Sequence, residues 1–147
     1  MSLALNKQEL TEYLKQVFPQ VHRDFVVEDL TEETITMRLL VEDRHLRPGG
    51  TVSGPSMFGL ADVCVYAMVL ARNGRQSLAV TTSSSMDFLR KPDGSRDLIA
   101  TCRLLKLGKT LAVGDVLMFS EGSDKAVARA SLTYAIPPKG SAAAQFG

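Results

Sequence analysis

The sequence predicts a single α+β domain in which an antiparallel sheet of about six strands curls around one long apolar helix. Three observations lead there. The chain has 147 residues and a mass of 16.0 kDa, which fits one ordinary domain. Between Arg47 and Arg72 the only charged residue is Asp62, and the run Pro55 to Ala71 is apolar on nearly every side. A helix of that kind must be covered on nearly every side. Finally, everything after residue 77 reads as strand and turn. A sheet that curls around the helix covers most of it, and a second copy of the chain would cover the rest.

The elements follow in order. Leu10, Tyr13, Leu14 and Val17 recur at helical spacing among Lys and Glu, so residues 7–18 form a short amphipathic helix that Pro19 ends. Phe25 to Leu30 is a first strand. Thr34 to Leu40 is a second, with Ile35, Met37 and Leu39 on one face and Thr34, Thr36 and Arg38 on the other. Thr31-Glu32-Glu33 turns between them. Residues 43–54 form a loop, and Ser53 or Gly54 caps the apolar helix, with Pro55 in its first turn, where a missing N–H costs nothing. Asn73-Gly74 would close that helix in a left-handed cap. Strands are expected over Ser77–Leu89, Leu98–Leu107, Thr110–Ser120 and Ala126–Ile136, with turns at Pro92-Asp93-Gly94-Ser95, Gly108-Lys109 and Gly122-Ser123-Asp124. The domain spans residues 1–140, and the small-residue stretch 141–147 reads as a flexible tail.

Composition excludes several function classes. A net charge of +1 gives no reason to expect nucleic acid or an anionic membrane as partner. Trp is absent and aromatics are 6% of the chain, so stacking platforms for single strands are not expected either. Two cysteines, Cys64 and Cys102, are too few for a disulfide framework or a thiolate zinc site, and they suit a reducing, cytoplasmic interior. No signal-peptide stretch opens the sequence. The apolar run is seventeen residues with a carboxylate near its middle, short of the ~20 a membrane span needs, so no membrane is expected.

Asp62 is the most informative residue. An ionised carboxylate in an apolar helix is costly without a partner, so it is either a structural group bonding a buried loop or a facing helix, or a catalytic group. Gly54 opens the same helix eight residues earlier. A helix start offers free N–H groups and a positive dipole end, which suits a developing oxyanion, and glycine admits a substrate close to that backbone. Gly-Pro is also an ordinary tight entry into a helix. Other motifs fail on inspection. Gly49 to Gly54 has P-loop spacing, but Pro55-Ser56 stands where Lys-Ser/Thr is required. Gly54 to Gly59 is one residue too long for a nucleophile elbow. Cys64 reads as a core cysteine, His22 and His45 as single loop residues, and no metal site is expected. In Thr81-Thr-Ser-Ser-Ser85, strand alternation would send at least two hydroxyls inward, where they would need partners.

Over roughly residues 25–137 the sequence resembles the hot-dog fold acyl-CoA thioesterases, in the phenylacetate-pathway and THEM-type branch of the 4-hydroxybenzoyl-CoA thioesterase superfamily. The family pattern is Gly, a few residues, His-Gly-Gly, then a helix containing Leu-Ala-Asp. Here it reads Gly50-Thr-Val-Ser53-Gly54-Pro55-Ser-Met-Phe-Gly-Leu60-Ala61-Asp62. Phe88-Leu89-Arg90-Lys91-Pro92 and Leu104 to Val113 are similar to the family's third-strand exit and hairpin. Ser53 stands in place of the usual His, Pro55 in place of the second Gly, and Arg47 in place of a polar amide.

The resemblance implies a hot-dog domain, at least dimeric, that hydrolyses an acyl- or aryl-CoA thioester. It implies that Gly54 N–H holds the oxyanion and that Asp62 of the partner subunit activates water or attacks the carbonyl. It places a water-positioning hydroxyl near Thr81, and Ser53 and Arg47 around the thioester. Arg90 and Lys91 are read as cations for the CoA phosphates or as ordinary solvated surface. No cofactor is implied beyond the coenzyme A of the substrate. Two alternatives stand beside this: a non-catalytic acyl-CoA-binding hot-dog protein, and a hot-dog dehydratase or hydratase. The latter needs an active-site His that neither His22 nor His45 supplies on the helix.

Overall fold

The computed structural model describes residues 3–138, so the expected tail over 141–147 lies outside the described residues. In chain order the elements are α1 (Lys7–Val17), α2 (Pro19–His22), β1 (Phe25–Leu30), β2 (Thr34–Leu39), a 3-10 turn (Asp43–His45), α3 (Gly54–Asn73), β3 (Val80–Phe88), β4 (Leu98–Leu107), β5 (Leu111–Ser120) and β6 (Ala126–Ala135). The strands form one six-stranded sheet in the order β1-β2-β4-β5-β6-β3, every pair antiparallel. The sheet curls around α3, which packs against β2, β4, β5, β6 and β3, with α1 closing over it. This is the hot-dog arrangement.

Local chemistry accounts for the helix ends. The Asn6 side chain accepts from Glu9 N while Glu9 answers to Asn6 N, a reciprocal cap that starts α1. Pro19 ends α1 as expected, but it also opens α2, a helical turn that the sequence reading did not separate. Ser53 is the N-cap of α3; its hydroxyl accepts from Ser56 N at 3.3 Å. At the other end Gly74 has φ +91 and ψ −161, positive but outside the left-handed helical region expected for it. In the last turn of α3, Gly74 N bonds to Leu70 O at 2.7 Å, and Ala4 N and Leu5 N both bond to Ala71 O, at 2.7 and 3.1 Å.

The helix is longer than its apolar run suggested, 20 residues with a mean hydropathy of 1.5 in its most apolar window. It therefore meets the length criterion for a membrane span that the seventeen-residue reading did not. Here the sheet covers it: from Leu60 to Ala71 every residue but Asp62 is buried. The close fit depends on Gly114 in β5. A Cβ there would stand 3.0 Å from Cys102 Sγ and 3.2 Å from both methyls of Val65, so glycine lets α3 settle onto the strand.

The edge strand β3 corrects a further expectation. Thr81 is half-buried, but Thr82 and Ser83 to Ser85 are exposed, so two inward hydroxyls are not found. The ladder to β6 shifts register between Thr81 and Ser83, and this bulge re-aims Thr81 while the rest of the face stays outside.

Candidate active site

On α3, Pro55, Phe58, Gly59 and Asp62 recur at helical spacing and form an incompletely covered stripe; Gly54, Ser56, Arg72 and Asn73, near the helix ends, are part-buried as well. Asp62 ends that stripe. Its Oδ1 accepts from Thr81 Oγ1 at 2.5 Å and from Tyr134 Oη at 2.7 Å, and Tyr134 Oη also lies 3.1 Å from the Asp62 carbonyl oxygen. Thr81 and Tyr134 are directly opposed across the β3–β6 ladder, which is why both reach one carboxylate oxygen. Burial, and then the neighbouring Asp62 charge, push the Tyr134 phenol up, so it stays protonated and donates.

Asp62 lines a cleft of about 460 Å³ with Val17, Phe18, Tyr66, Thr81 and Tyr134 among its walls. The aromatic rings form a run: Phe18 meets Tyr66 edge-on at 6.1 Å, and Tyr66 lies 6.1 Å from Tyr134. Tyr66 donates to Ser77 O at 2.7 Å, and burial pushes its hydroxyl up to about 12.

Gly54 belongs to a second cleft, of about 370 Å³, which it lines with Arg47, Met57, Phe88, Arg90 and Lys91. Its N–H is at the first turn of α3, where no intrahelical acceptor exists. Its φ is not in the left-handed region, and a Cβ there would meet only the Phe88 ring, at 3.6 Å. Neither strain nor crowding in the chain's own fold therefore demands glycine at 54.

The loops around this cleft are locked to each other. Arg47 N bonds to Thr51 O and Gly50 N to Arg47 O, each at 2.9 Å, forming a tight turn below Arg47. Opposite, a Cβ on Gly94 would lie 1.8 Å from Gly50 O, so only glycine lets the loop carrying Arg90 and Lys91 approach that turn. His45 lies in the segment between β2 and α3, as the sequence suggested, but it is not solvent-facing there. It is buried, its Nδ1 accepts from Glu42 N at 2.9 Å, its Nε2 lies 3.4 Å from Asp24 Oδ2, and its carbonyl holds Ser53 N at 2.8 Å.

The structure thus brings together Asp62 with Thr81, and Gly54 with Arg47, Arg90 and Lys91. It does not bring the two groups together, for the clefts share no lining residue. Ser53 lines neither cleft, its hydroxyl being engaged in the α3 cap and 3.0 Å from Ser56 Oγ. Cys64 is fully buried, with Sγ near the carbonyl oxygens of Ile35 and Ala100. No cluster of potential metal ligands occurs among the described residues. Tyr134 was not singled out by the sequence reading. The available signal was a Tyr on the inward face of a strand, since a buried phenol needs a partner.

Comparison with known proteins bears on the fold and the family. Acyl-coenzyme A thioesterase 13 of Mus musculus is 26% identical over 127 residues, covering 83% of this chain and 90% of that protein. A crystal structure from Silicibacter sp., described as a candidate thioesterase, is 61% identical with a TM-score of 0.88 and covers 94% of this chain and 96% of its own. A Streptococcus pneumoniae protein described as a hypothetical thioesterase with coenzyme A shares the fold, at 18% identity and a TM-score of 0.75, over 90% of this chain and 99% of its own. Residues 49–127, from the turn below Arg47 through α3 and into β6, match the model of one family, and by that match the chain belongs to the thioesterase superfamily.

Proposed function

We propose that the protein hydrolyses an acyl-CoA thioester to the free acid and CoA, in a site shared between two copies of the chain. The observation that carries this is the carboxylate of Asp62, held by two hydroxyl donors at the wall of a cleft, eight residues along α3 from the free N–H of Gly54. Eight residues of helix span about 12 Å. A carbonyl carbon bound at Gly54 N–H needs its attacking group about 3 Å away. One chain cannot meet both conditions.

Two copies can. β3 is an edge strand of nine residues without proline, and such an edge invites pairing with another strand. It runs from Thr81, beside Asp62, to Phe88, beside Gly54. Antiparallel pairing of β3 with its own copy across a two-fold axis sets the Thr81 end of one chain against the Phe88 end of the other. Each Gly54 then faces the partner's Asp62, twice per dimer. The incompletely covered stripe of α3 gains a cover in the same step.

In the proposed reaction Gly54 N–H and the α3 dipole stabilise the negative charge on the thioester oxygen. Asp62 takes a proton from water as the water oxygen bonds to the carbonyl carbon. The C–S bond then breaks, its electron pair leaves on sulfur, and the proton passes to the thiolate. Direct attack by Asp62, through a mixed anhydride that water opens, would use the same two groups. Arg47, Arg90 and Lys91 meet the nucleotide phosphates, and Met57, Phe88 and Leu89 meet the pantetheine arm. Ser53 supports the site by capping α3 rather than by touching the substrate. Hydrolysis of this kind requires no metal or redox cofactor. The coenzyme A named with the Streptococcus pneumoniae neighbour supports this choice of leaving group.

The test is release of free thiol from a panel of acyl- and aryl-CoA thioesters, for the wild type and for Asp62→Asn. Asn keeps an acceptor for Thr81 and Tyr134, so the fold should persist while kcat falls ~10²-fold or more. No hydrolysis of any thioester, with CoA still bound, would favour a binding protein instead.

A further inference from the structure

The two hydroxyls that reach Asp62 do not share its carboxylate evenly. A carboxylate offers two oxygens and about four acceptor positions. Thr81 Oγ1 and Tyr134 Oη both go to Oδ1, and among the described residues no hydrogen bond reaches Oδ2. We propose that Tyr134 is a positioning residue, which together with Thr81 fixes Oδ1 of Asp62 so that Oδ2 alone is presented to the reacting water or carbonyl. The assignment rests on the reading of function given above.

Several observations point the same way. Tyr134 is 3% exposed and lies on the last strand, 72 residues from Asp62, so the contact is made by the closed fold and not by neighbouring sequence. Its single O–H donates to Asp62 Oδ1 at 2.7 Å, with the Asp62 carbonyl oxygen at 3.1 Å as the weaker branch, so the phenol is seated over the helix turn that carries the carboxylate. Its ring packs beside Tyr66, which is anchored in turn by the Ser77 carbonyl, leaving the phenol little freedom to swing away. Thr81 is aimed from a bulge in the β3–β6 ladder, whereas Tyr134 comes from β6, whose ladder to β5 is regular at that position, with Tyr134 opposite Ala112.

A carboxylate with one oxygen tied has its rotamer set before substrate arrives, so less order has to be imposed in the transition state. Losing that orientation lowers the rate of the chemical step without altering how CoA is held, because Tyr134 lines the Asp62 cleft and not the cleft of Arg47, Arg90 and Lys91.

The experiment compares the wild type, Tyr134→Phe, Asp62→Asn and the double variant, with Thr81→Val and Thr81→Ser alongside. Phe keeps the ring and removes only the hydroxyl. Tyr134→Phe is expected to lower kcat roughly tenfold or more with KM within about twofold, since misplacement of a reacting group of this order costs rate. In the Asp62→Asn background the same substitution should cause no further loss, because its effect passes through the carboxylate. Thr81→Ser should retain much of the kcat that Thr81→Val loses. A Tyr134→Phe variant with unchanged kcat, beside an active wild type and an inactive Asp62→Asn, would overturn the role of Tyr134 alone. So would an equal loss in both backgrounds, which would mark a structural effect. If the wild type hydrolyses no thioester, the functional reading falls and this assignment falls with it.

Discussion

The shared site makes a quantitative prediction for mixed dimers. One variant, Asp62→Asn, removes the carboxylate and keeps Gly54. The other, Gly54→Val, keeps Asp62 and places a branched side chain over the N–H. The only atoms within 4 Å of the new Cβ belong to the Phe88 ring, at 3.6 and 3.8 Å, an ordinary van der Waals contact, and Phe88 is 56% exposed in the single chain. Gly54→Val should therefore fold normally, and its inactivity should report blocked access. Mixed in equal amounts and allowed to exchange, half the dimers are mixed. Each mixed dimer has one site that pairs an intact Gly54 with an intact Asp62 from the other chain. Activity should therefore rise from near zero to about one quarter of the wild-type value per protomer. If each chain carried a complete site, every site in the mixture would be broken and nothing would return. The assay is thiol release against time of exchange, with mixed dimers counted by native mass spectrometry through different affinity tags. Confirmed mixed dimers without activity, or an active monomer, would refute the reasoning.

Three further outcomes follow from the packing. Gly114→Ala places a methyl group 3.0 Å from Cys102 Sγ and 3.2 Å from the Val65 methyls. It should destabilise the fold by about 1–3 kcal/mol in denaturant unfolding, and Val65→Ala beside it should recover part of that loss. Burial pushes the Cys64 thiol well up, and burial followed by the Asp115 charge pushes Cys102 up to about 12. Neither should react with iodoacetamide at about pH 8 in the folded protein, although both should in denaturant, and rapid native labelling would contradict this. Finally, Arg90→Gln with Lys91→Gln should raise KM for acyl-CoA several-fold and flatten its salt dependence. Hydrolysis of a thioester of N-acetylcysteamine, which has no phosphates, should not change; equal losses on both substrates would argue against a phosphate contact.

The sequence by itself determined the features whose signals are local. Alternation in Thr34–Leu39 marks a strand with one buried face, and the structure buries Ile35, Met37 and Leu39. Turn clusters separate the later strands to within a few residues, and a lone carboxylate in an apolar run marks Asp62 before any contact is known. Periodicity and turn chemistry act over a few residues, so they are written in consecutive positions. What joins distant segments was decided only by the tertiary structure. β3 follows α3 in the chain yet lies beside the last strand, at the far edge of the sheet from β1, and that crossing alone sets Tyr134 opposite Thr81. Nothing near Tyr134 announces a bond to a residue 72 positions away. The same holds for Ala4 and Leu5 on the end of α3, and for Gly94 against Gly50. Each of these depends on how closely two parts of the backbone approach once the core has closed, and that distance is a property of the packed fold, with no local pattern of residue types to encode it.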